Sequence, residues 1–388
     1  MASRRLPCPL LGEATSSRIP VLKPQLPSAT DLLPLLAEID ENRWYSNGGP
    51  LVTRIEEQLS RHFRFVDRGV VTVSNGTLGL TVALMASRIP PGSICLMPSW
   101  TFAATPHAAR LAGLTPWFHD VDRRTWALNP DAVTETLKGM SRPVRAIIVV
   151  CPFGAPIDVR AWEEFQDRTG IAVIVDAAAA FDTVRRSHLP FVVSLHATKI
   201  LGAGEGGFIA SSDSKLLARA RACCNFGFQG SRNAMLGALN AKMSEYHAAV
   251  ALAAWGSWGR TRQLQARVVE WYRRGVARME HVSLQPRYGD GWVSGTTNVL
   301  LPARLRDKVS RQLLESGIET RTWWGAGCHR QPAFIDCPRS TLPVTDELGE
   351  RVLGLPHFPD MQKRDVDAVL AALPVVQADR AGPRWQVA

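Results

Sequence analysis

Long apolar runs are missing from this 388-residue sequence. Hydrophobic residues make up 46% of the chain but occur in short blocks, whereas a membrane-spanning helix needs about 20 consecutive apolar residues. Residues 1–21 carry two arginines ahead of an apolar patch, but Pro7 and Pro9 interrupt that patch, which disfavours a secretory signal. We therefore expect a soluble, cytoplasmic protein that makes no membrane contact.

Cysteine is sparse, and its spacing matches neither a disulfide framework nor a zinc site. The seven cysteines include the adjacent pair Cys223 and Cys224 but no C-x-x-C spacing, so we expect reduced, mostly buried thiols and no metal. The formal net charge is +10, but the arginines are dispersed rather than gathered in one block. Nucleic-acid binding is therefore not expected, whereas a basic surface would suit a small polyanion such as a nucleotide diphosphate.

The order of apolar segments predicts an α/β protein. Strand-like and helix-like segments alternate from about residue 70 to residue 180, which is typical of a mostly parallel sheet covered on both faces. After residue 190 two strand-like segments follow without a helix between them, so we expect an antiparallel strand there. The length favours two domains. We predict a large domain over residues 1–255 and a smaller α+β domain over residues 256–388.

The glycine-rich stretch GAGEGG does not predict a dinucleotide site. Gly202, Gly204 and Gly207 satisfy G-x-G-x-x-G, but such a site needs a helix directly after the glycines and an acidic residue about 20 positions on. The segment FIASSD that follows reads as a strand, and no acidic residue stands at that distance. We interpret the stretch as a turn that lets the backbone pass close to a ligand.

Three polar features follow apolar strands. In VSNGTLGL the N-terminus of a helix could bind phosphate beside Gly76, or Asn75 or Thr77 could simply cap that helix. Lys199 could be a solvated strand end, or a buried neutral amine able to form a Schiff base. Asp176 closes the strand AVIVDA. We expect Asp176 and Lys199 to close strands in the half of the sheet farthest from the turn at Gly76.

Together these features predict a site for pyridoxal phosphate. That cofactor needs a lysine for its aldehyde, an acid to keep its ring nitrogen protonated, an anion cradle and an aromatic face. The residues that could supply these parts are, in turn, Lys199; Asp176; Gly76, Thr77 and Ser194; and Phe102.

The motifs around these residues resemble the DegT/StrS-like family of nucleotide-sugar aminotransferases. The resemblance rests on SNGTLGL, PSWTF, VDAA and SLHATK followed by GEGG. It implies an aspartate-aminotransferase-like fold (fold type I), with Lys199 as the Schiff-base lysine and Asp176 as the partner of the pyridine nitrogen. It implies Ser194 as a phosphate ligand and Phe102 as the stacking ring. It also implies a homodimer in which Asn240 reaches the cofactor phosphate of the neighbouring subunit.

One position departs from the family pattern. After the acid and two alanines, relatives usually carry a glutamine that contacts the cofactor, and this chain has Ala179 there. Some relatives that remove a hydroxyl have histidine in place of the lysine, so retention of Lys199 favours amino transfer over dehydration. A pyridoxal-phosphate sugar dehydratase and a non-catalytic cofactor-binding regulator stay open as alternatives.

The resemblance implies a reaction between glutamate and a keto-sugar nucleotide, in first place a dTDP-4-keto-6-deoxyhexose. The product would be an amino-deoxy sugar for lipopolysaccharide O-antigen, another polysaccharide or a glycosylated natural product. We expect substrate contacts from residues near the loop RWYSNGGP and the segment TRTWWGAGCHRQP, although packing between the domains is an equal alternative for the aromatic ones. These residues are Tyr45, Asn47, Trp323, Trp324 and His329.

Overall fold

The computed structural model describes residues 18–66 and 68–373. Within them one sheet has seven strands in the order β1-β7-β6-β5-β4-β2-β3. These strands are β1 Val70–Val73, β2 Ile94–Pro98, β3 Thr115–His119, β4 Val144–Val150, β5 Ala172–Asp176, β6 Phe191–Ser194 and β7 Gly207–Ala210. Strands β2 to β6 pair in parallel, and β7 is antiparallel to both β6 and β1. This confirms the predicted mostly parallel sheet with an antiparallel member after residue 190.

Helices cover both faces of this sheet. In the described ranges the α-helices are α1 Ala29–Asn42, α2 Pro50–His62, α3 Gly76–Ala86, α4 Ala104–Leu111, α5 Pro130–Lys138, α6 Val159–Thr169, α7 Ser214–Cys224, α8 Glu245–Gly256, α9 Trp258–Val276, α10 Arg306–Glu315, α11 Pro343–Arg351 and α12 Lys363–Ala372. Side chains of a strand point alternately to the two faces, so Val173 and Val175 join one buried cluster while Ile174 joins another. None of the helices described is both long and apolar enough to span a membrane.

A second, smaller sheet follows α9. It consists of β8 Ser283–Leu284, β9 Thr297–Leu300 and β10 Val352–Leu355, in the order β10-β9-β8 and antiparallel throughout. Helices α9, α10 and α12 contribute to a separate apolar core beneath it, which includes Tyr272, Val299, Leu313 and Val366. The last two residues of α8 are 255 and 256, so the predicted domain boundary falls at the end of that helix. The division itself stays a prediction.

The sheet order corrects one sequence expectation. We expected Asp176 and Lys199 to close strands far from the turn at Gly76, but Asp176 ends β5, the central strand of the seven. Strand β6 ends at Ser194, and Lys199 lies in the following turn, where its N–H donates to the His196 carbonyl at 2.9 Å. Because β7 returns antiparallel and pairs with both β6 and β1, only one strand separates the ends of β6 and β1. The turn at Gly76 is therefore a neighbour of Ser194 rather than remote from it.

Candidate active site

A cavity of about 790 Å³ opens where the parallel strands end. Strands β1, β2, β4, β5 and β6 all run in one direction, so the residues after them gather at one edge of the sheet, where ligands of open α/β sheets bind. The site residues predicted from sequence that line the cavity are Gly76, Thr77, Phe102, Asp176, Ser194, Lys199, Trp323 and Trp324. One cavity is thus lined by residues that follow five strands of the large sheet and by residues of the C-terminal unit, the part of the chain after α9.

The turn from β1 into α3 forms an anion cradle in the cavity wall. Asn75 is the N-cap, and its Oδ1 accepts from the Leu78 N–H at 2.9 Å. Capping and anion binding are compatible here, because the first N–H groups of the helix, at Gly76 and Thr77, have no partner among the described residues. A Cβ at position 76 would lie 3.1 Å from the Ser194 Cβ. Glycine therefore keeps the space between the helix end and the serine open.

Asp176 is a buried carboxylate held by two hydrogen bonds. Its side chain accepts from Thr105 Oγ1 at 2.7 Å and from the Ala178 N–H at 3.1 Å. Burial raises the pKa of Asp176, while these hydrogen bonds and the charge of Lys199 act in the opposite direction. The desolvated acid therefore suits a cationic partner inside the cavity.

Lys199 is the matching base and is half-buried. Burial lowers the pKa of Lys199, and the charge of Asp176 opposes that shift. A lysine with a lowered pKa has a larger fraction of neutral amine near neutral pH, which is the form that attacks a carbonyl or accepts a proton.

Aromatic rings form part of the cavity wall. Phe102 follows β2 and is 61% exposed, so its ring is available to a bound ligand. Phe153 and Trp324 stack face to face, with ring centroids 3.9 Å apart and planes 15° apart, and Trp100 meets both rings edge-on. Phe153 has φ of +52°, an uncommon conformation for a bulky residue, and it packs against the C-terminal unit through Trp324.

The residues that line the cavity fit pyridoxal phosphate. Gly76, Thr77 and Ser194 offer an anion cradle that a Cβ at Gly76 would partly fill. Asp176 offers a buried carboxylate suited to a protonated ring nitrogen, and Lys199 offers an amine of lowered pKa in the same cavity. The donor set therefore matches the phosphate, the ring nitrogen and the aldehyde of that cofactor.

Four residues predicted for the site do not line the cavity of this chain. His329 is 3% exposed, and its ring nitrogens bond to Ser99 Oγ at 2.7 Å and to Asp346 Oδ1 at 3.1 Å. Tyr45 stacks on Tyr246 with centroids 6.2 Å apart, and Asn47 has φ of +64° in the same loop.

Asn240 is the fourth of these residues. It forms a β-bridge with Asn225, and its side chain accepts from Lys242 Nζ at 2.8 Å. Its predicted role requires a second subunit, so its distance from the cavity of its own chain leaves that role a prediction.

Sequence reasoning did not pick out several residues of the site. Thr105 supports Asp176 from 71 positions away, a relationship that no local pattern contains. Arg321 lines the cavity together with Trp323 and lies two positions from it in the segment TRTWW. Arg321 could have been predicted from its position next to aromatic residues that were expected to contact substrate.

The position that departs from the family pattern also faces the cavity. Ala178 and Ala179 both line it, and a Cβ at Gly154 would lie 2.5 Å from the Ala179 carbonyl oxygen. Gly154, at φ +95°, thus lets the loop after β4 pass close to the loop after β5. The small Ala179 side chain therefore leaves open cavity volume where a glutamine side chain is expected from the family pattern.

Comparison with known proteins gives the family. The sequence model of the DegT/DnrJ/EryC1/StrS aminotransferase family matches residues 29–374. The chain belongs to this family. Protein Rv3402c of Mycobacterium tuberculosis (strain ATCC 25618 / H37Rv) is 29% identical over 377 residues, which cover 93% of this chain and 91% of that protein.

Solved structures agree with the family match. A Bacillus cereus ATCC 10987 protein described as a PLP-dependent aminotransferase is 30% identical, covers 92% of this chain and 100% of its own, and superposes with a TM-score of 0.87. DesI, solved in the presence of its TDP-sugar product, is 31% identical with 94% of both chains covered and a TM-score of 0.84. A family member from Brucella abortus is 25% identical, covers 89% of this chain and 94% of its own, and has a TM-score of 0.80.

These matches confirm the family, the fold type I architecture and the cofactor predicted from sequence. The chain is a pyridoxal-phosphate-dependent sugar aminotransferase at the level of its family. The roles of the individual site residues and the identity of both substrates stay predictions.

Proposed function

We propose that this enzyme transfers an amino group from glutamate to a keto-sugar nucleotide, in first place a dTDP-4-keto-6-deoxyhexose. The observation that carries the proposal is the presence of a half-buried lysine and a buried carboxylate, Lys199 and Asp176, in one cavity with an anion cradle. DesI, whose structure contains a TDP-sugar product, supports this acceptor class. The product would enter lipopolysaccharide, another polysaccharide or a glycosylated natural product.

Each site residue has a distinct task in this proposal. Pyridoxal phosphate, when bound, supplies the aldehyde that takes up the amino group and the ring that accepts the electron pair from the donor's α-carbon. Gly76 and Thr77 would hold its phosphate with backbone N–H groups, and Ser194 would add a hydroxyl. Phe102 would supply the aromatic ring against the cofactor.

Two side chains handle protons. Asp176 holds a proton on the ring nitrogen, and the dry environment that raises its pKa also strengthens its attraction to a cation. Lys199 Nζ, whose pKa burial lowers, would take the proton from the donor's α-carbon and give it to the carbon that was the cofactor's aldehyde. In the second half-reaction it would take a proton from that carbon and give it to the sugar carbon that receives nitrogen, so it would serve as base and then as acid in each half-reaction.

We also propose a homodimer in which Asn240 contacts the cofactor phosphate of the other subunit. Phe226 and Met235 lie in the loop between α7 and α8, as Asn240 does, and are 47% and 65% exposed; a second subunit that covered this loop would bury both apolar side chains. We propose the cytoplasm as its location, because the cysteines of the described residues are free thiols and reducing compartments preserve such thiols.

A panel of keto-sugar nucleotides tests the proposed reaction. The full chain, reconstituted with pyridoxal phosphate, is incubated with glutamate and each nucleotide sugar, and both 2-oxoglutarate and the amino sugar are measured. We expect equal amounts of both products with at least one dTDP-linked 4-keto sugar, and none with Lys199→Ala. Sugar dehydration without 2-oxoglutarate would identify a dehydratase, and failure to retain cofactor after reconstitution would contradict the proposal.

A further inference from the structure

Arg321 lines the cavity from the part of the chain that follows α9. Its Cζ lies 5.2 Å from the centroid of the Trp323 ring, within the range of a cation–π contact. The backbone of Arg321 is anchored by a pair of hydrogen bonds with Gly354, at 2.9 Å and 2.8 Å. The backbone of Arg321 is therefore held in place by Gly354, and its guanidinium packs near the Trp323 ring.

Arg321 also lacks a neutralising partner in the part of the chain that is described. None of the side-chain hydrogen bonds or ion pairs there involves its guanidinium, whereas each of the other charged residues that line the cavity has an oppositely charged or ionisable neighbour. Asp176 and Lys199 influence each other electrostatically, and His196 Nε2 lies 3.8 Å from Glu205 Oε1. A permanent positive charge with five donors thus borders the cavity without an ion-pair partner among the described residues.

A carboxylate is the ligand that this arrangement suits. A guanidinium presents two parallel N–H donors that match the two oxygens of one carboxylate. The phosphate of the cofactor already has the cradle at Gly76 and Ser194. A sugar nucleotide's diphosphate carries more charge than a single guanidinium balances, and the cavity lining has no second arginine.

We propose that Arg321 binds a carboxylate of the amino donor and thereby sets donor specificity. The proposal rests on the proposed function, because it assigns one of the two substrates to this residue. It makes Arg321 a substrate-binding residue for the first half-reaction, with Trp323 holding the guanidinium in place.

Direct binding tests the assignment without turnover. Glutarate serves as a carboxylate probe and inorganic pyrophosphate as a diphosphate probe, each titrated calorimetrically into the full-length enzyme loaded with pyridoxal phosphate. We expect Arg321→Gln to weaken glutarate binding roughly 10- to 100-fold, the loss typical of a charge-assisted hydrogen-bonded pair. Arg321→Lys should recover part of the affinity, because lysine keeps the charge but loses the planar fork. Arg311→Gln, an exposed position on α10, is the control and should bind glutarate as wild type does.

Kinetics of the two separate half-reactions test whether Arg321 binds the amino donor during catalysis. We expect Arg321→Gln to raise the half-saturating glutamate concentration by a similar factor and to leave that of the keto-sugar unchanged. A variant that weakens pyrophosphate and the keto-sugar but spares glutarate would overturn the proposal in favour of the diphosphate. No glutarate binding by wild type, or equal binding by wild type and Arg321→Gln, would also overturn it. A wild type that binds glutarate through Arg321 but does not consume glutamate would refute the proposed donor while leaving a carboxylate site.

Discussion

Thr105 Oγ1 donates a 2.7 Å hydrogen bond to Asp176 Oδ2 in the buried floor of the cavity. Thr105 lies in the first turn of α4, and its hydroxyl also contacts Thr101 Oγ1 at 2.7 Å. The carboxylate is therefore oriented by a short chain of hydroxyls from the segment that also carries Phe102. This relationship makes Thr105 a positioning residue that acts through Asp176.

Thr105→Val removes the hydroxyl while keeping the shape of the side chain. We expect kcat to fall roughly 5- to 10-fold, because a net hydrogen bond of about 1 kcal/mol that orients the acid is lost. Thr105→Ser should restore most of kcat, since it retains the donor. The measurement is steady-state kinetics for both variants, with thermal unfolding as a check on folding. Equal impairment by valine and serine would indicate a packing role instead.

Asp176→Asn should separate catalysis from stability. We expect the variant to bind pyridoxal phosphate but to lose at least about 100-fold in turnover, because a neutral amide cannot hold the ring nitrogen protonated. The same change should raise the stability of the cofactor-free protein at neutral pH. Burial raises the pKa of Asp176, so the ionised acid costs folding free energy above its folded pKa, and that cost disappears as pH falls below 3.8.

Denaturant unfolding of cofactor-free wild type and Asp176→Asn between pH 3.5 and pH 8 checks the second half of this prediction. The stability gain of the variant should shrink towards acidic pH. A variant with wild-type turnover would remove the role assigned to the carboxylate. A variant less stable than wild type at neutral pH would show that the hydrogen bonds of Asp176 outweigh its desolvation.

The sequence predicted the parts of this site that depend on local pattern. Asp176 and Ser194 end buried strands, and Gly76 opens a helix after another, so strand order along the chain was enough to bring them to one edge. Lys199 came from its motif, but its distance from the turn at Gly76 was misjudged because antiparallel pairing of β7 with β1 depends on contacts between distant segments.

Contacts across the chain were harder to predict. The importance of Thr105 and Arg321 depends on contacts with residues that are distant in sequence. His329 was predicted to contact substrate, and in the structure its ring nitrogens hydrogen-bond to Ser99 and Asp346. Aromatic and histidine residues near a motif can face the ligand or the core, and only packing decides between the two.

Ala179→Gln restores the side chain that relatives carry in this space. Because Ala179 lines the cavity, we expect the glutamine amide to contact the cofactor. One additional hydrogen bond should lower the dissociation constant of pyridoxal phosphate severalfold. Ala179→Leu is the matched control, since leucine fills a similar volume without the amide. Dissociation constants come from titrating apoenzyme with pyridoxal phosphate. Equal effects of glutamine and leucine, or weaker binding by the glutamine variant, would contradict an amide contact.

His357 should make the fold sensitive to acid. Its ring bonds to Gln265 Oε1 at 2.6 Å and Thr297 Oγ1 at 2.8 Å, and burial lowers the pKa of His357 from 6.5 to about 3. Between these values the unfolded chain binds a proton that the folded protein does not, so stability falls as pH drops through this range. The contribution of one such histidine is about 1.4 kcal/mol per pH unit.

His357→Gln should remove that contribution to the slope. We expect it to be less stable than wild type at pH 7, because the buried hydrogen bonds are disturbed, and to lose stability less steeply between pH 6 and pH 4. Unfolding of the cofactor-free proteins in denaturant at several pH values gives both quantities. His281→Gln, at a partly exposed side chain, is the control. An unchanged slope in His357→Gln would mean that His357 takes up its proton in the folded state.

A single-turnover reaction with glutamate tests directly whether the enzyme transfers an amino group. Enzyme loaded with pyridoxal phosphate is mixed with glutamate in the absence of any keto-sugar, and the cofactor absorbance and 2-oxoglutarate are followed together. We expect loss of the visible absorbance and one 2-oxoglutarate per active site in wild type, with neither change in Lys199→Ala. A wild-type enzyme that holds the cofactor yet releases no 2-oxoglutarate would contradict glutamate-dependent amino transfer.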